Sequence, residues 1–452
     1  MSTFSLNAIS PIDGRYQNKV SQLSDYFSEH GLIKNRVIVE VEYFISLCEI
    51  PLPQLQNFDK SYFTKLRDIY ENFSFKDSTN IKEIEKTTNH DVKAVEYFLK
   101  SKFDDLNLSE YKEFIHFGLT SQDINNTAIP LSLKEAIKDV YLIEISILIN
   151  KLNELKTQWK DIPMLARTHG QAASPSTLGK ELKVFHERVN RELNHLKSIK
   201  PLAKFSGATG NYHTFKIVDE KINWVKFNKK FINKFGVTHN EYTTQIEPHD
   251  WIADVSHTIM RLNNIFIDLC QDVWIYISND IFSLKLLKNE VGSSTMPHKV
   301  NPIDFENAEG NFGLSNALME FFANKLTKSR HQRDLSDSTV LRNIGLGFGY
   351  SALALVSTNK GLEKIIPNKS KISYELDDNW EVLTEAVQTI MRYEGIPDAY
   401  EQLKNLSRGA KLNKDSYISF VESLDITIKS KEKLLSLEPK LYIGISRELS
   451  KS

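Results

Sequence analysis

Glycine and proline are scarce in this chain, and they are clustered. The 452 residues include 18 glycines and 13 prolines, yet two long stretches, residues 131–162 and 249–291, contain neither. A glycine or proline inside a helix costs about 1 or 3 kcal/mol respectively, so runs free of both favour long helices. We therefore predict a chain built from long helices, with residues 249–291 forming a longer one than residues 131–162.

Apolar residues after residue 177 repeat with the period of a helix. They recur at steps of three or four, which places them in one stripe of a helix that ends before Pro201. The stripe consists of Leu178, Leu182, Phe185, Val189, Leu193 and Leu196. Strand-like alternation is hard to find anywhere. The pattern predicts an all-α fold in which long helices form a bundle.

The two longest runs are apolar on more than one face. VYLIEISILINKLNEL lies in the first and IMRLNNIFIDLCQDVWIYI in the second. A helix that is apolar nearly all round is buried centrally or packs against another subunit. We expect a homo-oligomer built on these helices.

Two changes in composition suggest domain boundaries. DDLNLSE (residues 104–110) and IPNKS (residues 366–370) are polar, turn-rich segments. We predict an N-terminal helical domain over residues 1–109, a central long-helix bundle over 110–363 and a C-terminal helical domain over 364–452.

Charge and cysteine usage narrow the classes of function. The chain has 57 Lys and Arg against 58 Asp and Glu, a net charge of −1, so no basic field attracts nucleic acid or an anionic membrane. Cys48 and Cys270 make no CxxC or His/Cys metal spacing, and both are predicted to fill the core. The N-terminus lacks the pattern of a signal peptide, and no run approaches the roughly 20 apolar residues of a membrane helix. We expect a cytoplasmic protein without a metal.

Polar clusters rich in turn-forming residues separate the helices. They hold the residue types that bind anions and move protons, and each one alone also has an ordinary structural explanation. Thr120 to Asp123, for instance, suits a helix N-cap followed by an acidic first turn, and His90 suits a helix start. The clusters are SPIDGRY (10–16), TTNHDVKAVE (87–96), HFGLTSQDINN (116–126), ARTHGQAASPST (166–177), TTQIEPHD (243–250), GSSTMPHKVNP (292–302) and HQRDLSDSTVLRN (331–343).

The cluster GSSTMPHKVNP can be a polar loop or a reactive one. Gly292 as a helix stop and Pro297 as a breaker explain part of it, but not two adjacent serines followed by Lys299. A serine hydroxyl is a weak base unless a neighbouring cation or exposed N–H groups stabilise its anion. The segment is therefore a candidate catalytic loop.

Two nucleotide-binding motifs are absent. No GxxxxGK[ST] phosphate loop occurs, and in GLGFGY (345–350) Tyr350 stands where a dinucleotide fingerprint needs its third glycine. Close helix packing accounts better for these glycines.

GSSTMPHKVNP resembles the signature loop of the fumarase/aspartase superfamily, and THGQ, HFGLTSQDIN and SGATGNY resemble its other shared blocks. SPIDGRY, TTNHDVKAVEYFL, YTTQIEPHD and RDLSDSTVLRN are similar to the adenylosuccinate lyase family of the bacterial purine-pathway type, from about residue 8 to near the C-terminus. The resemblance implies a three-domain helical fold and a homotetramer whose central bundle is shared. It also implies active sites assembled from three subunits, and no cofactor or metal.

The reaction that the resemblance implies is β-elimination of fumarate from a succinylated purine nucleotide. Ser293 is then the base, and Lys299 and Asn301 receive the charge that builds on the carboxylate; the sequence alone does not separate Ser293 from Ser294. His169 resembles the general acid, with the carboxylate of Glu306 as its partner, and His90 resembles a second substrate-contacting histidine.

The same resemblance assigns residues to the small nucleotide substrate. The guanidinium groups of arginines from both ends of the chain would bind the phosphate, and hydroxyls and amides would bind the succinyl group. The substrate-binding residues implied are Arg15, Tyr16, Asn89, Asp91, Thr120, Ser121, Thr168, Gln245, Ser294, Asn301, Asn307, Arg333, Ser338, Thr339 and Arg342.

Two other functions remain open at this stage. A sister lyase acting on argininosuccinate, malate or aspartate would not need arginines for a nucleotide phosphate. A non-catalytic helical scaffold would not need Ser293, Lys299, His169 and Glu306 together.

Overall fold

The structure is a computed structural model that describes residues 6–285, 296, 299–407 and 412–451. Helices dominate it, which confirms the predicted all-α class. They are α1 (Gln17–Val20), α2 (Ser24–Phe27), α3 (Glu29–Leu47), α4 (Tyr62–Glu71), α5 (Phe75–Thr88), α6 (Asp91–Asp105), α7 (Ser121–Ala136), α8 (Leu142–Gln158), α9 (Leu178–Ser198), α10 (His213–Val218), α11 (Trp224–Asn233), α12 (Asp250–Ser278), α13 (Ile303–Leu326), α14 (Ser336–Leu341), α15 (Ile344–Lys364), α16 (Lys369–Asp377), α17 (Thr384–Tyr393), α18 (Ala399–Ser407), α19 (Lys414–Ser423), α20 (Ile428–Leu435) and α21 (Ser446–Lys451).

Short strands pair in twos between the helices. β1 (Pro163–Thr168) and β2 (Gln171–Thr177) form an antiparallel hairpin, with a bulge between Met164 and Ala166. β3 (Leu202–Ala203) runs parallel to β4 (Thr238–His239), and β5 (Phe282–Leu284) is antiparallel to β6 (Ile365–Pro367).

The first predicted long helix extends beyond its expected start. α7 and α8 are joined by a π-helical turn, Ile137–Tyr141, and Pro130 lies inside α7 instead of bounding it. A proline there leaves the carbonyl four residues earlier without its helical donor. That carbonyl, on Asn126, accepts a hydrogen bond from the backbone N–H of Lys204 at 3.4 Å, so the helix continues through the proline.

The second predicted long helix ends earlier than expected. α12 stops at Ser278, so the prediction of one helix through residue 291 was wrong. Asp280 has a left-handed backbone (φ 59°), a conformation that Asp tolerates better than most residues and that no helix continues through. β5 then pairs with β6, which gives the backbone of Phe282–Leu284 hydrogen bonds that a helix no longer supplies.

The cluster ARTHGQAASPST forms the β1–β2 hairpin, which the sequence analysis missed. His169 and Gly170 occupy its two-residue turn with φ values of 53° and 75°. Positive φ at both central positions matches the right-handed twist of paired strands, so this turn closes a hairpin.

Three smaller predictions are confirmed. Every residue of the α9 stripe is buried. Cys48 and Cys270 are buried free cysteines, and burial raises the pKa of each thiol to about 12. In GLGFGY, a Cβ added at Gly347 would lie 2.9 Å from the Met319 side chain, so this glycine serves close helix packing.

The chain forms two compact units. The first unit comprises Met1–Ile145, Glu192–Asn264 and Gly310–Val356, and the second comprises Ser146–Arg191, Ile265–Glu309 and Ser357–Ser452. In the first unit an aromatic cluster packs α3 against α11: the ring centroid of Tyr43 lies 5.5 Å from that of Phe231 and 5.1 Å from that of Phe205. The predicted division into domains 1–109, 110–363 and 364–452 stays a prediction.

One stretch of the described residues passes a test for a membrane span by length and composition. Within Ser336–Lys364, a window of 18 residues has a mean hydropathy of 1.2 and is 61% buried inside the chain. A core helix of a folded protein passes the same test, so the finding is weak evidence for a membrane.

Candidate active site

A cavity of about 670 Å³ in the first unit gathers predicted residues from three distant sequence segments. It lies where the start of α3, the α5–α6 junction, the first turn of α7 and the region of α14 meet. The predicted substrate-binding residues that line it are Asn89, His90, Asp91, Ser121, Arg333, Ser338, Thr339 and Arg342. The three segments lie far apart in the sequence, so the fold and not the local chain brings them together.

The α5–α6 junction positions His90 at the cavity. Asn89 ends α5 with a left-handed backbone (φ 49°), and His90 is the N-cap of α6, where its Nδ1 accepts a hydrogen bond from the N–H of Lys93 at 3.1 Å. Because Nδ1 accepts, the neutral ring carries its proton on Nε2, which lies 3.3 Å from the Ser121 hydroxyl. The helix-start explanation of His90 is correct, and it leaves the other ring nitrogen at the cavity.

Asp91 lies between two arginines of the cavity wall. Its Oδ2 accepts hydrogen bonds from Arg36 at 2.6 Å and from Arg342 at 2.9 Å. Burial alone raises the pKa of this carboxyl, but the two guanidinium groups and the N–H of Val92 outweigh burial and lower it. Arg342 also donates to Glu29 at 2.7 Å, so an incoming anion meets a guanidinium that two carboxylates already hold in place.

Sequence reasoning missed Arg36. This arginine is only 2% exposed, and its Nε donates to Asn125 at 2.8 Å. The available signal was an arginine at the start of RVIVEVEYF, a run rich in apolar residues, because an arginine on a buried helix face needs a partner.

Arg333 links two of the predicted segments. Its guanidinium donates to the Ser338 hydroxyl at 3.0 Å and to the side-chain oxygen of Gln245 at 3.2 Å. The Gln245 amide donates in turn to the carbonyl of Ala208 at 3.0 Å, which orients its oxygen towards Arg333. The segments TTQIEPHD and HQRDLSDSTVLRN are thus neighbours in the first unit.

The start of α7 is fixed by a buried carboxylate. Asp123 Oδ2 accepts the N–H of Thr120 at 2.8 Å, which confirms the predicted N-cap arrangement. Its Oδ1 accepts hydrogen bonds from Lys204 Nζ at 2.6 Å and from the N–H groups of Ser206 and Gly207 at 2.9 and 3.1 Å. Asp123 therefore joins Thr120 and Ser121 to the SGATGNY segment, and both ionic partners are fully buried.

His116, just before that helix, is also paired. Its Nδ1 lies 2.6 Å from Oε1 of Glu40, whose side chain is fully buried. Burial by itself lowers the pKa of His116, but the Glu40 carboxylate outweighs burial and raises the pKa above its usual value of 6.5. The Glu40 carboxylate thus favours the imidazolium form of His116.

In the second unit, His169 is exposed at the turn of the β1–β2 hairpin, next to Thr168. The C-terminal helices hold this hairpin on both strands. Arg167 donates to Glu375 at 3.0 Å, and the hydroxyl of Ser174 donates to Glu385, which also accepts from Tyr442 at 3.2 Å.

Four predicted residues lie in the first five residues of α13 or just before them. Glu306 Oε1 accepts a hydrogen bond from Trp274 Nε1 at 3.1 Å, and Asn307 accepts one from Ser357 at 2.9 Å. Lys299 and Asn301 precede the helix, and Ser293 and Ser294 lie outside the described residues. Within the described part of the chain no hydrogen bond or ion pair joins Glu306 to His169.

Arg15 and Tyr16 do not line the first-unit cavity. They lie at a turn before α1, where the guanidinium of Arg15 is exposed and sits 5.8 Å from the centre of the Tyr16 ring. Among the described residues, no group of three or more His, Cys, Asp or Glu side chains is arranged to hold a metal ion.

Comparison with known proteins places the chain in a family. The family described as Lyase matches residues 14–314, and the one described as Adenylosuccinate lyase C-terminal matches residues 329–443. The adenylosuccinate lyase of Dictyostelium discoideum is 51% identical over 97% of both chains. Those of Legionella pneumophila (strain Corby) and Escherichia coli (strain K12) are 49% and 47% identical, over 100% and 98% of both chains.

Solved structures show the same fold at low identity. A fumarate lyase from Mesorhizobium sp. BNC1 superposes with a TM-score of 0.77 at 16% identity, covering 95% of this chain and 96% of that one. The 3-carboxy-cis,cis-muconate lactonizing enzyme of Pseudomonas putida gives 0.74 at 19% identity, covering 95% of both. By the sequence matches along nearly its whole length, the chain belongs to the adenylosuccinate lyase family.

Proposed function

We propose that the protein is a C–N lyase that cleaves adenylosuccinate into AMP and fumarate, and that the same site cleaves the succinylated aminoimidazole carboxamide ribotide of purine biosynthesis. The observation that carries the proposal is the first-unit cavity, in a chain with named adenylosuccinate lyases as relatives. Arg333, Arg342 and Ser338 meet there, and a guanidinium pair with a hydroxyl suits a phosphate monoester.

The chemistry requires removal of a proton from a carbon next to a carboxylate. The negative charge builds on a group that is already anionic, so cations and hydrogen-bond donors must stabilise it. In our proposal Ser293 takes this proton, and Lys299 and Asn301 stabilise the charge. The C–N bond then breaks, and the departing nitrogen takes a proton from His169.

The histidine needs a partner that keeps it protonated. We assign this to Glu306, since a carboxylate beside an imidazole raises its pKa. Glu306 contacts Trp274 within its own chain and not His169, so the pairing we propose is made between subunits. His90, with Nε2 next to Ser121, would contact the succinyl group together with Thr120, Ser121 and Gln245.

A homotetramer with shared active sites follows from the same proposal. The long helices expose large apolar side chains, each more than 40% accessible, that a further copy of the chain would cover. They are Ile143, Ile147, Trp274, Ile275, Leu314 and Phe321. A cytoplasmic location stays a prediction.

The direct test is an assay of fumarate release. The purified protein is expected to release fumarate from adenylosuccinate, and to leave argininosuccinate, malate and aspartate unchanged. Absence of fumarate from adenylosuccinate would refute the proposal, and release from one of the other three would favour a sister lyase. A folded oligomer inactive on all four would favour the scaffold alternative.

The phosphate contact gives a second prediction. Arg342→Gln is expected to raise KM for adenylosuccinate about 10- to 100-fold, because a hydrogen bond to a charged group contributes about 1.5–3 kcal/mol. Steady-state kinetics measures the change. In the unchanged protein, the substrate without its phosphate should have a higher KM than adenylosuccinate, and in the variant this difference should disappear.

Arg67→Gln is the matched control for that variant. Arg67 also pairs with a carboxylate, Glu42, and its side chain is 38% exposed against 41% for Arg342, but it does not line the cavity. Its KM should stay close to that of the unchanged protein. Equal KM values in all three proteins would remove Arg342 from the phosphate site.

A further inference from the structure

A second cavity in the first unit has none of the predicted active-site residues in its lining. Its volume is about 570 Å³, and it opens between the C-terminal end of α3 and one face of α11. We call it the lysine-rimmed cavity. It shares no lining residue with the first cavity, and it is lined by Ser46, Glu49, Ile50, Pro51, Asp219, Lys221, Ile222, Asn223, Lys226, Phe227, Lys230, Phe231 and Lys234.

The floor of the lysine-rimmed cavity is apolar. Ile50 and Pro51 come from the α3 side, and Ile222, Phe227 and Phe231 come from the α11 side. Phe231 is fully buried, whereas Phe227 is partly exposed and leaves some of its ring accessible. A cavity of a few hundred Å³ with an apolar floor suits the flat body of a small molecule.

The rim carries positive charge in excess. Lys226, Lys230 and Lys234 follow at steps of four on α11, so they lie along one face of the helix, and Lys221 precedes it. Of these four lysines, Lys234 has partners: its Nζ lies 2.9 Å from the Ser46 hydroxyl and 3.5 Å from the carboxylate of Glu49. Among the residues that the structure describes, no carboxylate lies within ion-pair distance of the other lysine side chains.

The carboxylates of the lining do not cancel this charge. Asp219 accepts a hydrogen bond from the backbone N–H of Lys221 at 2.8 Å, and Glu49 faces Lys234. Four lysines therefore stand against two carboxylates in the lining.

A purely structural explanation covers only half of the lysines. Positive side chains near a helix C-terminus stabilise the helix dipole, which accounts for Lys230 and Lys234. Lys226 lies in the first turn of α11 and Lys221 lies before it, where the dipole opposes a positive charge. These two lysines are left without a stabilising role in the chain itself.

We propose that the lysine-rimmed cavity binds an aromatic compound that carries a phosphate, the chemistry of a nucleotide. The ring would lie on Phe227 and Ile222, and the phosphate dianion would be met by Lys221, Lys226 and Lys230. Three unpaired ammonium groups fit a multiply charged group better than a single carboxylate. The site is independent of the proposed lyase activity, since the two cavities have no residue in common.

The proposal is tested by calorimetric titration of the full-length protein with 1-naphthyl phosphate. This probe is expected to bind at least tenfold more tightly than inorganic phosphate or 2-naphthol, which each offer only half of the chemistry. In Lys226→Ala/Lys230→Ala the binding should weaken by about tenfold, because two of the three ammonium groups that meet the phosphate are removed.

Lys229→Ala is the matched control, because Lys229 is exposed on the same helix but does not line the cavity. Binding of the probe to the first cavity would persist in all these proteins. The loss of binding at the lysine-rimmed cavity is therefore measured as the difference between the double variant and the control. An unchanged titration in the double variant, or an equal loss in Lys229→Ala, would overturn the proposal.

Discussion

Replacement of His169 by asparagine is expected to lower kcat for adenylosuccinate about 10²- to 10⁴-fold, the range that one general acid contributes. His169 is exposed at the hairpin turn, and in the described part of the chain its side chain forms no hydrogen bond. Its removal should therefore leave the free energy of unfolding nearly unchanged. Steady-state kinetics gives kcat, and thermal unfolding checks the fold.

Asparagine is chosen because of the backbone at this position. The φ of His169 is 53°, a left-handed conformation that asparagine adopts readily and alanine does not. Comparison of His169→Asn with His169→Ala thus separates loss of the acid from strain in the turn. If His169→Asn kept normal turnover while His169→Ala lost it, the turn and not the imidazole would matter, and the acid role would be wrong.

The helical character of the fold was predictable, but its helix ends were not. Gly- and Pro-free runs correctly indicated long helices, since the penalty for those residues is local. Pro130 was misleading because its cost is offset by a distant partner, the N–H of Lys204, which takes the freed carbonyl of Asn126. A tertiary hydrogen bond of this kind leaves no trace in the local pattern.

The strands were likewise not predictable from the local sequence. Phe282–Leu284 reads as a continuation of α12 because two of its three residues are apolar and it is free of glycine and proline. It becomes a strand because Ile365–Pro367, some 80 residues later, supplies its backbone partners. Pairing between segments so far apart is decided by the fold and not by the segment.

The residues of the candidate site were also only partly predictable from the sequence. Resemblance to a family named eight of the residues that line the first-unit cavity, but it did not reveal Arg36, which also lines it. Arg36 holds Asp91, and Asp91 in turn holds Arg342. A residue of this kind carries no motif of its own, because its partners are side chains far away in the sequence.

The largest effect on stability is expected at Lys204. Lys204→Met should lower the free energy of unfolding by about 3–5 kcal/mol, because it leaves the carboxylate of Asp123 buried without its cation. Both side chains have zero exposure and their ionic atoms are 2.6 Å apart. Asp123 keeps its bonds to the N–H groups of Thr120, Ser206 and Gly207, so we expect the lower end of this range. Urea unfolding measures the loss.

Lys86→Met is the matched control, since Lys86 pairs with Glu83 at the same distance of 2.6 Å but with side chains 70% and 60% exposed. An exposed pair contributes at most about 1 kcal/mol, so this variant should unfold almost like the unchanged protein. Equal losses in the two variants would mean that Asp123 does not depend on Lys204. A selective loss in Lys204→Met should also lower kcat/KM, because the same carboxylate fixes the N–H of Thr120 beside Ser121 at the cavity.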